Sequence, residues 1–99
     1  MFSTPEYNQS LPGGLKNMLD WVSRCEPSPL VGKPCAIMGA TVGGWGTRIA
    51  QQQLATILWS CGARVLHHRL YHVRAASAPI DRSSMEAFAL SCVRDAEGA

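Results

Sequence analysis

Cys35-Ala36-Ile37-Met38, followed by Gly39-Ala40-Thr41-Val42-Gly43-Gly44-Trp45-Gly46-Thr47, is the passage on which the fold turns. The first four residues are an uninterrupted apolar run. That pattern predicts a strand buried on both faces, as in a parallel sheet. A glycine-rich turn comes next. From about Thr47 to Cys61 the residues Ala50, Leu54, Ile57 and Cys61 are spaced as one buried helical face. Gly62 stands where a helix C-terminal glycine is expected, and Ala63-Arg64-Val65-Leu66 reads as another strand. Strands alternating with helices predict an α/β layer built on a parallel sheet.

Upstream, Thr4-Pro5-Glu6-Tyr7-Asn8-Gln9-Ser10 is a polar turn. Pro12 follows, where a helix can begin at no cost in backbone donors. Leu15, Met18, Leu19 and Val22 then share one helical face, and Lys16 and Asp20 form an exposed i,i+4 pair. Asn8 and Ser10 both stand close enough to this helix to cap it. Glu26-Pro27-Ser28-Pro29 ends it. Downstream, the basic tract Arg64, His67, His68, Arg69, His72 and Arg74 reads as a solvated strand end and loop. Ser83 and Glu86 form a capping box before a last helix with Met85, Phe88 and Cys92 along one side. Two full strands with three helices make a thin core, so the chain reads as part of a larger sheet.

The chain has 99 residues, 46% hydrophobic and 16% charged, which is a globular composition for one small domain. Its formal net charge of +2 is too small to argue for nucleic acid. No apolar run approaches the ~18 residues of a membrane span. Met1-Phe2-Ser3-Thr4-Pro5-Glu6 has neither the basic nor the apolar part of a signal peptide. Cys25, Cys35, Cys61 and Cys92 lack paired spacing and read as buried thiols of a reducing compartment, hence a cytoplasmic location and no metal site. Trp21 and Trp59, inside helices, read as packing residues. Trp45, in the glycine turn, is placed to touch a ring or another subunit.

A strand, a glycine loop and a helix together make a common cradle for an anion or a planar ligand. Two fingerprints are excluded. A phosphate-binding loop starting at Gly39 needs Lys after Gly44, where Trp45 stands. The dinucleotide fingerprint starting at Gly44 meets Ile49 where Gly or Ala is required.

The opening segment is more specific. Thr4-Pro5-Glu6-Tyr7-Asn8-Gln9-Ser10-Leu11-Pro12-Gly13-Gly14-Leu15-Lys16-Asn17-Met18-Leu19-Asp20-Trp21 closely resembles the signature of the NADPH-dependent FMN reductases, which include quinone and chromate reductases. The pattern T-P-E-Y-N-x-S-x-P-G-x-L-K-N-x-x-D-W is matched at every fixed position, and the resemblance runs from Met1 to about Asp81. It implies a flavodoxin-like α/β fold, with a parallel sheet and helices on both faces.

The resemblance also implies roles. The turn Pro5, Glu6, Tyr7 and Asn8 would wrap the edge of the flavin ring. Ala40, with Thr41 and Gly43 beside it, would supply backbone contacts on the other side. The implied cofactors are FMN and NADPH or NADH, and the implied acceptor is a quinone-like molecule. The family often forms dimers or tetramers, which allows a homo-oligomer. No side chain is expected to act as a catalytic acid, base or nucleophile, because the hydride chemistry belongs to the cofactor. The family's first two strands and its FMN-phosphate loop have no counterpart before Thr4. Residues 1–99 are therefore expected to be the C-terminal part of such a domain. The alternative function is a non-catalytic remnant that binds a partner chain through its open sheet.

Overall fold

The apolar run at 35–38 does form a strand, and its neighbours follow from it. The computed structural model describes residues 1–73 and 82–98. The elements in chain order are β1 (Phe2–Ser3), α1 (Gly13–Val22), β2 (Pro34–Ala40), α2 (Arg48–Ser60), β3 (Arg64–Val73) and α3 (Arg82–Gly98). The three strands make one parallel sheet in the order β1-β2-β3, with β1 pairing Phe2 to Ile37 and Ser3 to Met38.

Alternation along β2 divides the core. Cys35 and Ile37 face one way and pack with Leu19 of α1 and Leu54, Ala55 and Leu58 of α2. Ala36 faces the other way and packs with Leu66, Cys92 and Phe88, so α3 covers the opposite face. Burial on both sides explains why β2 reads as continuous apolar sequence rather than as an alternation. Right-handed crossovers that step the same way along a sheet place their helices on the same face. That is why α1 and α2 share one layer.

Several sequence expectations need correction. β3 starts at Arg64, as expected, but runs on through Val73, so residues 67–72 continue the strand rather than forming a loop. Four residues of β3, 66–69, stand opposite the single Ala36, because the register shifts between Cys35 and Ile37. A bulge leaves the extra residues out of the ladder and lets the pairing resume beyond them. Arg74 lies outside the described residues, as do the side chains of His67, His68, Arg69 and His72. Ser83 lies inside the first turn of α3, not ahead of it as a cap. Cys35 and Cys92 are buried, but Cys61 is half-buried and Cys25 is exposed; none of the four is in a disulfide.

Trp21 and Trp59 are 72% and 66% exposed and are not packing residues. Successive helical residues point about 100° apart. Trp21 is two positions past buried Leu19, and Trp59 is one position past buried Leu58. Both are therefore turned away from the core. Lys16 Nζ meets both carboxylate oxygens of Asp20 at 2.8 Å on the exposed face of α1, as the spacing predicts.

Candidate functional site

Parallel strands end on the same side of their sheet. The segments leaving β1 and β2 at their carboxyl ends are therefore neighbours, which is where ligands of open α/β sheets bind. These segments are residues 4–12 and 41–47; together with Ala40, the last residue of β2, they contain every residue that the sequence nominates.

The first segment continues the ladder for one bond, from Thr4 N–H to the Met38 carbonyl at 3.0 Å. It then turns sharply. Tyr7 and Ser10 exchange two backbone hydrogen bonds, at 2.9 and 3.0 Å, around Asn8 and Gln9. Both central residues have positive φ, 51° and 59°. This is the mirror-image two-residue turn, which Asn tolerates better than most residues. Tyr7, Asn8 and Gln9 are exposed, as is Pro5, while Glu6 is half-buried.

The second segment starts at exposed Ala40 and half-buried Thr41. The Thr41 hydroxyl accepts the Gly43 N–H at 3.4 Å. The chain then climbs through exposed Val42, Gly43, Gly44 and Trp45 to buried Gly46 and Thr47. Gly39 marks where the two segments converge. A Cβ built there would overlap the Thr47 hydroxyl and the Thr4 carbonyl, so only glycine lets these backbones approach.

α2 ties the segments together. Thr47 occupies the N-cap position in a left-handed conformation, φ 60°, and makes no side-chain cap. Its hydroxyl instead accepts a hydrogen bond from Gln51 Nε2 at 2.9 Å, within the buried layer. The donor at the third helical position, Ala50 N–H, is satisfied from elsewhere: Glu6 Oε1 accepts it at 2.8 Å. A carboxylate at a helix N-terminus is favoured by the helix dipole as well as by the bond itself. One turn further along, Gln53 Oε1 accepts the Leu11 N–H at 2.9 Å and the Ser10 hydroxyl at 3.0 Å.

The capping expected of Asn8 and Ser10 at α1 is therefore absent. Pro12 takes the N-cap position of α1 with no side-chain bond, and the Ser10 hydroxyl serves α2. The structural role of Gln53 was not legible in the sequence. A side chain that bonds across more than forty residues leaves no local period.

The arrangement brings Pro5, Glu6, Tyr7 and Asn8 to one strand end, and Ala40, Thr41 and Gly43 to the adjacent one. It offers a planar polar molecule exposed backbone, the carboxamide of Asn8, and the exposed rings of Tyr7 and Trp45. A separate cleft of about 610 Å³ is lined by Asp20, Trp21 and Arg24 at the far end of α1. It involves none of the nominated residues. No helix among the described residues is long and apolar enough to cross a membrane.

Comparison with known proteins agrees with the α/β fold. Residues 1–77 match the family model described as NADPH-dependent FMN reductase. An NAD(P)H-dependent FMN reductase of Pseudomonas aeruginosa is 52% identical over 58 residues, which is 59% of this chain and 31% of that protein. A quinone reductase of Escherichia coli is 47% identical over 64 residues, 65% of this chain and 34% of that protein. Among solved structures, the flavoenzyme NAD(P)H:(acceptor) oxidoreductase FerB from Paracoccus denitrificans superposes with a TM-score of 0.60 and 38% identity. That match covers 65% of this chain and 36% of FerB. The chain thus spans about a third of the length of the relatives it matches.

Proposed function

Because this chain belongs to the NADPH-dependent FMN reductase family, we propose that its two strand-end segments form the ring side of a flavin site. The activity served is reduction of a quinone-like acceptor at the expense of NADPH or NADH. The observation that carries this reading is the bond from Ala50 N–H to Glu6. It joins the turn at 5–10 to the helix that begins directly after the loop at 41–47, making one unit of two ligand-side segments.

The residues present fit a flavin ring. Such a ring is flat, polar along one edge and apolar across its faces. The turn presents the Asn8 carboxamide and backbone groups for the edge, and Tyr7 and Trp45 supply exposed aromatic surface. Bound flavin would supply the chemistry, accepting a hydride from the nicotinamide and passing electrons to the acceptor. The chain's own work is to hold and orient the ring. Pro5 stiffens the entry to the turn through its fixed φ. Asn8 and Gln9 set the reversal that aims the turn outward. Ala40, Thr41 and Gly43 give a backbone edge without bulky side chains, which allows close approach.

The reading is tested by titrating the chain with FMN and with riboflavin and following flavin fluorescence. Saturable quenching supports it, and so does consumption of NADPH that depends on added flavin and a quinone. A chain that binds neither flavin overturns it.

A further inference from the structure

We propose that Gln53 is a positioning residue for the turn at Tyr7–Ser10 and, through that turn, for flavin; the second half rests on the reading above. The turn is held at both flanks by one stretch of one helix. At its entrance, Glu6 Oε1 accepts the Ala50 N–H at 2.8 Å. At its exit, Gln53 Oε1 accepts both the Leu11 N–H at 2.9 Å and the Ser10 hydroxyl at 3.0 Å. Ala50 and Gln53 are three residues apart and so share a helix face. Tyr7, Asn8 and Gln9, the residues between these anchors that could meet a ligand, are exposed.

The two anchors differ in kind. Glu6 receives a bond from the helix backbone, so its side chain reaches outward from the turn. Gln53 reaches the other way, and a single oxygen takes up two donors. Tyr7 and Ser10 are cross-bonded to each other, so fixing Ser10 also fixes Tyr7. A rigid turn presents its polar groups to a ligand without first losing conformational entropy, which is how positioning strengthens binding.

The chemistry points to a variant series. Gln53→Leu keeps the size of the side chain and removes the acceptor. Gln53→Glu keeps an oxygen that accepts from both Leu11 and Ser10. Gln52→Leu, at an exposed neighbour on the same helix, is the control. Two readouts are taken on the full chain: amide hydrogen exchange at Leu11, with no flavin present, and the dissociation constant for riboflavin.

Gln53→Leu is expected to speed exchange at Leu11 and to weaken riboflavin about tenfold, as the loss of one or two hydrogen bonds would. Gln53→Glu is expected to restore both readouts to within about threefold of the parent. Gln52→Leu should move neither. Unchanged exchange at Leu11 in Gln53→Leu overturns the inference. Faster exchange with unchanged riboflavin affinity overturns its ligand half, and so does failure of Gln53→Glu to rescue. A parent chain that binds no riboflavin overturns the flavin reading, while Leu11 exchange still decides whether Gln53 holds the turn.

Discussion

Glu6 Oε1 accepts the backbone N–H of Ala50 at 2.8 Å, so a carboxylate 44 residues upstream caps the helix that follows the glycine loop. The residue in the N-cap position, Thr47, cannot serve. Its left-handed backbone turns the hydroxyl toward Gln51 instead. The cap and the tertiary contact are thus the same bond, and stability and site geometry depend on it together.

Replacing Glu6 separates the parts of that bond. Glu6→Ala removes the acceptor and should cost about 1 kcal/mol, the usual loss for a helix cap. Glu6→Gln keeps an oxygen acceptor but loses the charge beside the helix N-terminus, so it should cost about half as much. Urea unfolding midpoints check both values. Identical midpoints for all three proteins would show that the bond contributes no stability.

Gly39 should tolerate nothing larger than itself. Gly39→Ala places a methyl group against the Thr47 hydroxyl and the Thr4 carbonyl. Overpacking of this kind costs about 1–3 kcal/mol. Thr47→Ala alone should be milder. The pair Gly39→Ala with Thr47→Ala should recover only part of the loss, because the Thr4 carbonyl belongs to the backbone. Full recovery in thermal melts of the double variant would show that the Thr4 carbonyl does not constrain residue 39.

Elements whose stabilising contacts repeat along the chain were legible. β2 is announced by the run Cys35–Met38, and α2 by Ala50 and Leu54 with Gly62 after its end, because burial imposes a period on sequence. The resemblance carried by Thr4–Trp21 added the fold type. What escaped was set by single contacts at long range. Nothing near Gln53 marks it as the partner of Leu11, and nothing near Glu6 marks it as the cap of α2. The polar residues after Leu66 hid the continuation of β3, because the ladder shifts register opposite Ala36 and the regular pattern is interrupted there. Trp21 and Trp59 misled because aromatic size suggests a core, whereas helical phase decides which side chains reach it.

The cysteines should separate by burial. Burial pushes the Cys35 thiol above its ordinary value of 9.0, against smaller opposing effects of the chain's N-terminus and Lys33. Its thiolate is disfavoured in the folded state and not in the unfolded one. The folded state therefore binds more protons at alkaline pH. The resulting stability is fully present below pH 9.0 and falls as pH rises above it. Exposed Cys25 should react first with a thiol reagent at neutral pH, and Cys35 and Cys92 only on unfolding. Cys35→Ser should flatten the alkaline loss of stability. If the slope survives in that variant, another group is its source.

Asn8 carries two separable properties, a left-handed backbone and a carboxamide exposed at the proposed ring edge. Its φ is 51°, which costs a β-carbon residue about 1 kcal/mol and costs glycine almost nothing. Asn8→Gly should therefore melt close to the parent, with the turn between Tyr7 and Ser10 retained. Asn8→Ala should melt lower, because alanine has neither glycine's freedom nor the asparagine amide that offsets the strain. Flavin binding should order the variants differently. Both lack the carboxamide, so both should bind riboflavin about tenfold more weakly, the value of one well-formed hydrogen bond in a partly desolvated site. Ser10→Ala serves as the counterpart. It removes a donor to Gln53 and should lower stability while leaving the Asn8 carboxamide in place. Melting and titration of the three variants thus distinguish a turn that only folds from a turn that also binds. Riboflavin affinity that follows melting temperature across all three would mean that Asn8 makes no contact with the ring.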